Sequence, residues 1–357
     1  MNIHTDGHAF VIPSSGYELN VAGLDIYESE NGNAVYSPPN LKGVSVINAG
    51  TLTSHHQLAV SLGGESAFLW NKVSGFLIGG ALVGPGGTIL NEGWVLQYGQ
   101  NPDLTPIKLA NGKGAVSVVN SGFIEGSTAI ASEGLALDLV NTGSIKGGIN
   151  LSKADDTILN SGSIAGVVKL AGGNDTFDGR GGMQDSVHGG RGKDKLFGGD
   201  GADILEGGRG SDVLFGGSGD DMLDGGRGKD RLYGGDGDDI LIGSAGKDVL
   251  EGGAGADVFV FLDSGKGHAD RIVDFTVGED MIHLDNDHFR KLGPDGALSA
   301  EAFQIGRRAD DADDRVIYDP KSGMLRYDAN GDKAGGVKKI AKLAKGLDLD
   351  HGDFLVI

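Results

Sequence analysis

The sequence predicts an all-β fold: a right-handed parallel β-helix that continues into a parallel β-roll and closes in a β-rich C-terminal cap. Three observations lead there. From His188, eight nonapeptides follow one another without insertion: HGGRGKDKL, FGGDGADIL, EGGRGSDVL, FGGSGDDML, DGGRGKDRL, YGGDGDDIL, IGSAGKDVL and EGGAGADVF. Upstream, a looser repeat with an N-x-G core recurs at Asn48, Asn91, Asn120, Asn141 and Asn160, with a weaker copy, WNKVSGFLIGG, from Trp70. Finally, 66 glycines and only 6% aromatics in 357 residues lie far from an ordinary globular mixture and argue against a compact multilayer core.

The other bulk properties narrow the partners. A hydrophobic content of 39% argues against wholesale disorder. The formal charge of −20 makes nucleic acid and anionic membranes poor partners and divalent cations good ones. With no cysteine, neither disulfides nor thiolate metal chemistry is available. The N-terminus lacks a basic region followed by an apolar run, and no stretch is apolar enough to span a bilayer, so neither a Sec signal nor a transmembrane segment is expected.

Each element can be justified in turn. Residues 1–45 carry no repeat and are expected to cap the first coil, whose open strand edge would otherwise invite association. Residues 46–170 are the β-helix. From Asn48 its repeats are spaced 23, 20, 29, 21 and 19 residues apart, one coil each, and the long one contains the polar insertion YGQNPDLTP. Alternating residues Val118, Phe123, Leu137, Leu139, Ile145, Ile149, Ile158 and Ile164 are expected to fill the core. The asparagines are expected to stack and hydrogen-bond along the turns. This part resembles bacterial secreted adhesin-like β-helices. At its end ADDTI (154–158) recurs as GNDTF (173–177), which places Asp156 and Asp175 on one edge of adjacent coils.

Residues 171–262 form the roll, with the strict nonapeptides at 188–259. Its true period is double. Arg191, Arg209 and Arg227 occur in alternate copies, and those copies are followed by Phe197, Phe215 and Tyr233. Such alternation implies a coil of two short strands on opposite faces joined by two glycine-rich turns, with Arg191 and Asp200 on opposite edges. Leu196, Leu205, Leu214, Leu223, Leu232, Leu241, Leu250 and Phe259 then point inward as a thin stack. Aspartates stacked about 4.8 Å apart would repel unless a cation lay between them. The pattern G-G-x-G-x-D-x-U-x is identified as that of the RTX calcium-binding repeats.

That resemblance implies calcium, roughly six ions, held by Asp194, Asp203, Asp212, Asp221, Asp230, Asp239, Asp248 and Asp257. Asp175 and Asp185 read as irregular forerunners of the same sites. Turn backbone would complete the shell, from Gly190, Gly192, Gly199, Gly201, Gly208, Gly210, Gly217, Gly219, Gly226, Gly228, Gly235 and Gly237.

Residues 263–357 read as a cap carrying an export signal. DRIVDFTVGEDMIHL and the terminal Asp353, Phe354, Leu355, Val356 and Ile357 resemble the C-terminal region of RTX proteins exported by type I systems. The resemblance implies a secreted protein, extracellular or attached to the cell surface, whose partners are calcium, the type I secretion apparatus and an extracellular polysaccharide or host surface. Adhesion or host and matrix interaction is the leading expectation.

No HExxH or GxSxG motif supplies protease or lipase chemistry, and no catalytic residue is assigned. The alternative is a polysaccharide lyase, hydrolase or epimerase built on the β-helix, with Asp138, Lys153, Asp155 and Asp156 as the nearest carboxylate and amine groups. Three further features are expected to be structural. His55 and His56 would point to opposite faces of a strand; Asp328, Asn330 and Asp332 imitate an EF-hand start but reach Lys339 at its twelfth position; and GVKKIAKLAKGL spaces Val337, Ile340 and Leu343 like one helical face.

Overall fold

The computed structural model describes residues 10–11, 16–21, 26–29, 34–37, 39–54, 58–62, 64–97, 105–262, 269–333 and 335–357, with backbone alone at 10–11, 21, 26–29 and 185. They form two compact units, Met1–Gly190 and Arg191–Ile357. Apart from two short 3₁₀ turns, every regular element among the described residues is a β-strand.

The first unit is a parallel solenoid. One of its sheets stacks Glu18–Val21, Ser45–Asn48, Phe68–Asn71, Thr88–Asn91, Ala115–Asn120, Ala136–Asn141, Thr157–Asn160 and Thr176–Asp178. The unequal repeat spacings vanish in the register: Asn48 lies beside Asn71, then Asn91, Asn120, Asn141 and Asn160. Parallel pairing begins upstream of the repeats, because Glu18–Val21 already pairs with Ser45–Asn48.

Alternation decides the core. Val118, Leu137, Leu139, Ile145, Ile149, Ile158 and Ile164 are buried, each stabilising the stack by about 1.5–3 kcal/mol relative to exposure. Phe123, expected in the core, is instead part-exposed on the outer face. The turn after Asn120 sets the pleat so that Ile124 points inward, and Phe123 packs against Trp94 at 4.6 Å between centroids.

The second unit repeats every eighteen residues. Lys195–Asp200, Val213–Ser218, Arg231–Asp236, Val249–Ala254 and Asp270–Ile272 form one parallel face. Ile204–Gly210, Met222–Gly228, Ile240–Ile242, Val258–Phe261 and Met281–Leu284 form the other. All eight inward residues from Leu196 to Phe259 are buried, and Phe197, Phe215 and Tyr233 stack at 4.8 and 4.7 Å.

The C-terminal segment completes both sheets. Phe354–Val356 adds in parallel to Met281–Leu284. Val316–Asp319 and Met324–Asp328 form an antiparallel hairpin, and Val337–Lys342 pairs with Met324–Asp328 and with Asp270–Ile272. The GVKKIAKLAKGL run is therefore a strand, not a helix. Neighbours on both sides satisfy its backbone, and fully buried Ala341, which the helical reading left off the apolar face, lies beside Leu325. Asp328 turns back on its own loop, its carboxylate accepting the Asn330 N–H at 2.9 Å.

Candidate metal centre

The glycine-rich turns bring the nonapeptide aspartates into two ladders, one on each edge of the roll. Along the first edge, the backbone N–H of Asp194 donates to Asp212 Oδ1 at 2.8 Å, and the contact recurs from Asp212 to Asp230, Asp230 to Asp248 and Asp248 to Asp270. Along the second edge it runs from Asp203 to Asp221, Asp239, Asp257 and Asp280. Six of the eight nonapeptide carboxylates are thus held by a backbone N–H of the coil before them, and all eight are at most 3% exposed.

At five of these carboxylates one oxygen is used and the other is left over. Oδ2 of Asp212, Asp221, Asp230, Asp239 and Asp257 is buried and accepts no hydrogen bond. Such a group costs several kcal/mol as a bare anion, and burial accordingly pushes Asp230 and Asp257 up to about 7 and Asp221 and Asp239 up to about 6. The hydrogen bond from the preceding coil lowers each value, and neighbouring aspartates raise it further.

Space for a cation lies beside these oxygens. A Cβ added at Gly207 would sit 2.8 Å from Asp212 Oδ2 and 2.8 Å from the Gly225 carbonyl oxygen, so the absent side chain leaves a cradle lined by hard oxygens. Carboxylate plus carbonyl oxygen suits calcium, whereas zinc prefers imidazole and thiolate. Calcium bound there would supply the charge the partnerless oxygens lack.

Because Oδ1 and Oδ2 have separate tasks, they can be tested separately. Asp230→Asn keeps an Oδ1 acceptor for Asp212 N–H and removes the charge. The substitution is expected to stabilise the roll by about 1–3 kcal/mol in chelator and to destabilise it in saturating calcium. Urea melts under the two conditions read this, and a shift of the same sign in both would refute the division of roles.

Several ladder members were hidden in the sequence. Asp270 and Asp280 continue the two edges beyond the last nonapeptide, where insertions break the nine-residue count. Asp280 ends its edge differently, because its second oxygen accepts the Thr276 N–H at 2.7 Å. The first glycine of each copy also faces the cradle, through Gly225 O at Gly207 and Gly234 O, 2.7 Å from the Cβ position, at Gly216. Its invariance across all eight copies was the available signal.

In the first unit Asp156 takes the same pose: Oδ1 accepts the Leu137 N–H at 2.7 Å, Oδ2 is buried without a partner, and burial pushes it up to about 7. Its own N–H donates to Asp175 Oδ1 at 2.8 Å. Asp185 lies in the strand Met183–Gly192, and its side chain falls outside the described residues, as do His55 and His56.

The groups weighed for catalysis do not converge. Asp156 faces inward, Asp138 points outward from the sheet, and Asp155 and Lys153 are exposed, with Asp155 Oδ1 accepting the Asn174 N–H at 2.6 Å.

Ladder, cradle and eighteen-residue coil together define a calcium-binding parallel β-roll. Residues 181–259 match the model of the RTX calcium-binding nonapeptide repeat (4 copies), at 181–214, 197–232 and 224–259. No curated protein sequence matches the chain. Among solved structures, the AlgE6R3 subunit of the Azotobacter vinelandii mannuronan C5-epimerase is similar at 25% identity, over 48% of this chain and 76% of that one, with a TM-score of 0.22.

Proposed function

We propose that this calcium-binding repeat protein is exported unfolded through a type I system and folds on meeting calcium outside the cell, where it acts in adhesion to a host surface or extracellular matrix. The observation that carries the reading is the buried row of carboxylate oxygens without protein partners, which makes the stacked coils unfavourable until a cation arrives. Sites of the extracellular class bind calcium with Kd of about 10⁻⁴–10⁻³ M, so they fill outside a cell and stay vacant inside it.

The C-terminal residues support the same order of events. Phe354 and Val356 are buried in the sheet beside Met281–Leu284, and Asp353 accepts hydrogen bonds from Asp350 N–H at 2.8 Å and Gly278 N–H at 3.2 Å. A signal made of these residues is readable only before folding. Deleting the last 50 or so residues is expected to abolish export from a cell supplied with a type I exporter, scored as protein in the medium. Undiminished secretion would overturn the proposed route.

A further inference from the structure

The whole-chain charge conceals a divided roll. On the first edge, Arg191, Arg209 and Arg227 occupy one position of alternate turns, while Lys193, Lys229 and Lys247 each precede a ladder aspartate; all six are exposed. Arg209 and Arg227 are in direct register. The opposite edge carries Asp200, Asp220, Asp236 and Asp238 at the corresponding places, also exposed.

Among the described residues, no carboxylate forms an ion pair with Arg191, Arg209, Arg227, Lys229 or Lys247. Like charges in register one strand apart repel, so Arg209 beside Arg227 is an unfavourable pairing that an anion would relieve. Glu206 and Asp224 flank the row on one sheet face, although Asp224 Oδ1 is already engaged by Gly226 N–H at 2.9 Å and Ser244 Oγ at 2.8 Å. On the other face lie exposed Lys195 and Arg231, so the positive strip widens in that direction.

We propose that this edge binds an extended anionic polysaccharide, its carboxylate or sulfate groups spaced along the row of cations. The row is one-dimensional and its charges repeat at about the strand spacing of 4.8 Å, which suits a linear polymer carrying an anion on each residue or every second one. The motif positions between the coil strands, R-G-K-D and R-G-S-D, contain no apolar side chain to enter a membrane. Nearby Phe197, Phe215 and Tyr233 stack face to face, at 6° and 8° between planes, and so offer nucleic-acid bases no free platform. The inference rests on the reading that calcium folds the roll, because the row exists only when the coils are stacked.

Calorimetric titration of the full chain in about 1 mM calcium, with chondroitin sulfate as the probe and dextran as the neutral control, tests it. Chondroitin sulfate is expected to bind, dextran not to, and affinity to fall with added salt. The triple variant Arg209→Gln, Arg227→Gln, Lys229→Gln is expected to lose about tenfold in affinity with a shallower salt dependence. Its calcium-induced change in circular dichroism should be unaltered, since all three side chains are exposed. Absence of binding by a chain that does respond to calcium, equal binding by the variant, or tighter binding of single-stranded DNA or phosphatidylserine vesicles would overturn the proposal. Absence of any calcium response in the dichroism would instead overturn the folding reading beneath it.

Discussion

Transfer into chelator is expected to collapse the unit Arg191–Ile357 and leave Met1–Gly190 standing. A site with a Kd near 10⁻⁴ M gains about 1.4 kcal/mol at 1 mM calcium, so several such sites together would reach a sizeable part of a domain's whole stability. Without the ion, the ladder carboxylates oppose folding. Their folded-state values lie above the ordinary 3.8, so in the metal-free roll they favour folding below about pH 4 and lose that contribution as pH rises through 6 to 7. Calcium needs the ionised form and has the opposite dependence. In chelator, then, strand signal should return on acidification; with calcium it should be strongest above pH 7. The two tryptophans, Trp70 and Trp94, both lie in the first unit and supply an internal control. A large loss of far-ultraviolet dichroism with unchanged tryptophan emission is the expected pair of readings, and retention of the full dichroism in chelator would defeat the account.

Where the residues repeat strictly, the fold could be read before it was seen. Leu196 to Phe259 and the double period followed from register alone, because a nine-residue count leaves the pleat no freedom. The N-x-G asparagines were legible for the same reason, and even the weak copy at Trp70 supplied Asn71 to the stack. Legibility failed where tertiary contacts chose the pairing. Ile340 and its neighbours carry helical spacing, yet became a strand because two flanking strands had backbone groups to share. Asp270 and Asp280 were invisible as ladder members because insertions move them 22 and 23 residues from their partners. Asp156 was weighed as a catalytic group on sequence position, while its burial and its hydrogen bond to Leu137 depend on the coil beneath it.

Breaking the asparagine ladder is expected to cost the first unit about twice what losing calcium costs one site in the second, and to do so whether calcium is present or not. Asn120 Oδ1 accepts from Asn91 Nδ2 at 2.7 Å and its own Nδ2 donates to Asn141 Oδ1 at 2.7 Å, all three residues being fully buried. An amide both accepts and donates, so the chain from Asn48 to Asn160 closes without an ion, ending on Gln184 Oε1 at 3.3 Å. A carboxylate only accepts, and the aspartate ladders on the roll leave one oxygen over at Asp212, Asp221, Asp230, Asp239 and Asp257 for that reason. Asn120→Ala strands a donor on Asn91 and an acceptor on Asn141, a loss of about 3 kcal/mol. Asn120→Asp should be worse despite its nearly equal size, since an acceptor would then face the Asn141 Oδ1 acceptor. Urea unfolding followed by tryptophan emission measures both, with and without chelator. If the aspartate variant were the milder of the two, or calcium rescued it, the distinction between a ladder closed by amides and one closed by metal would fall.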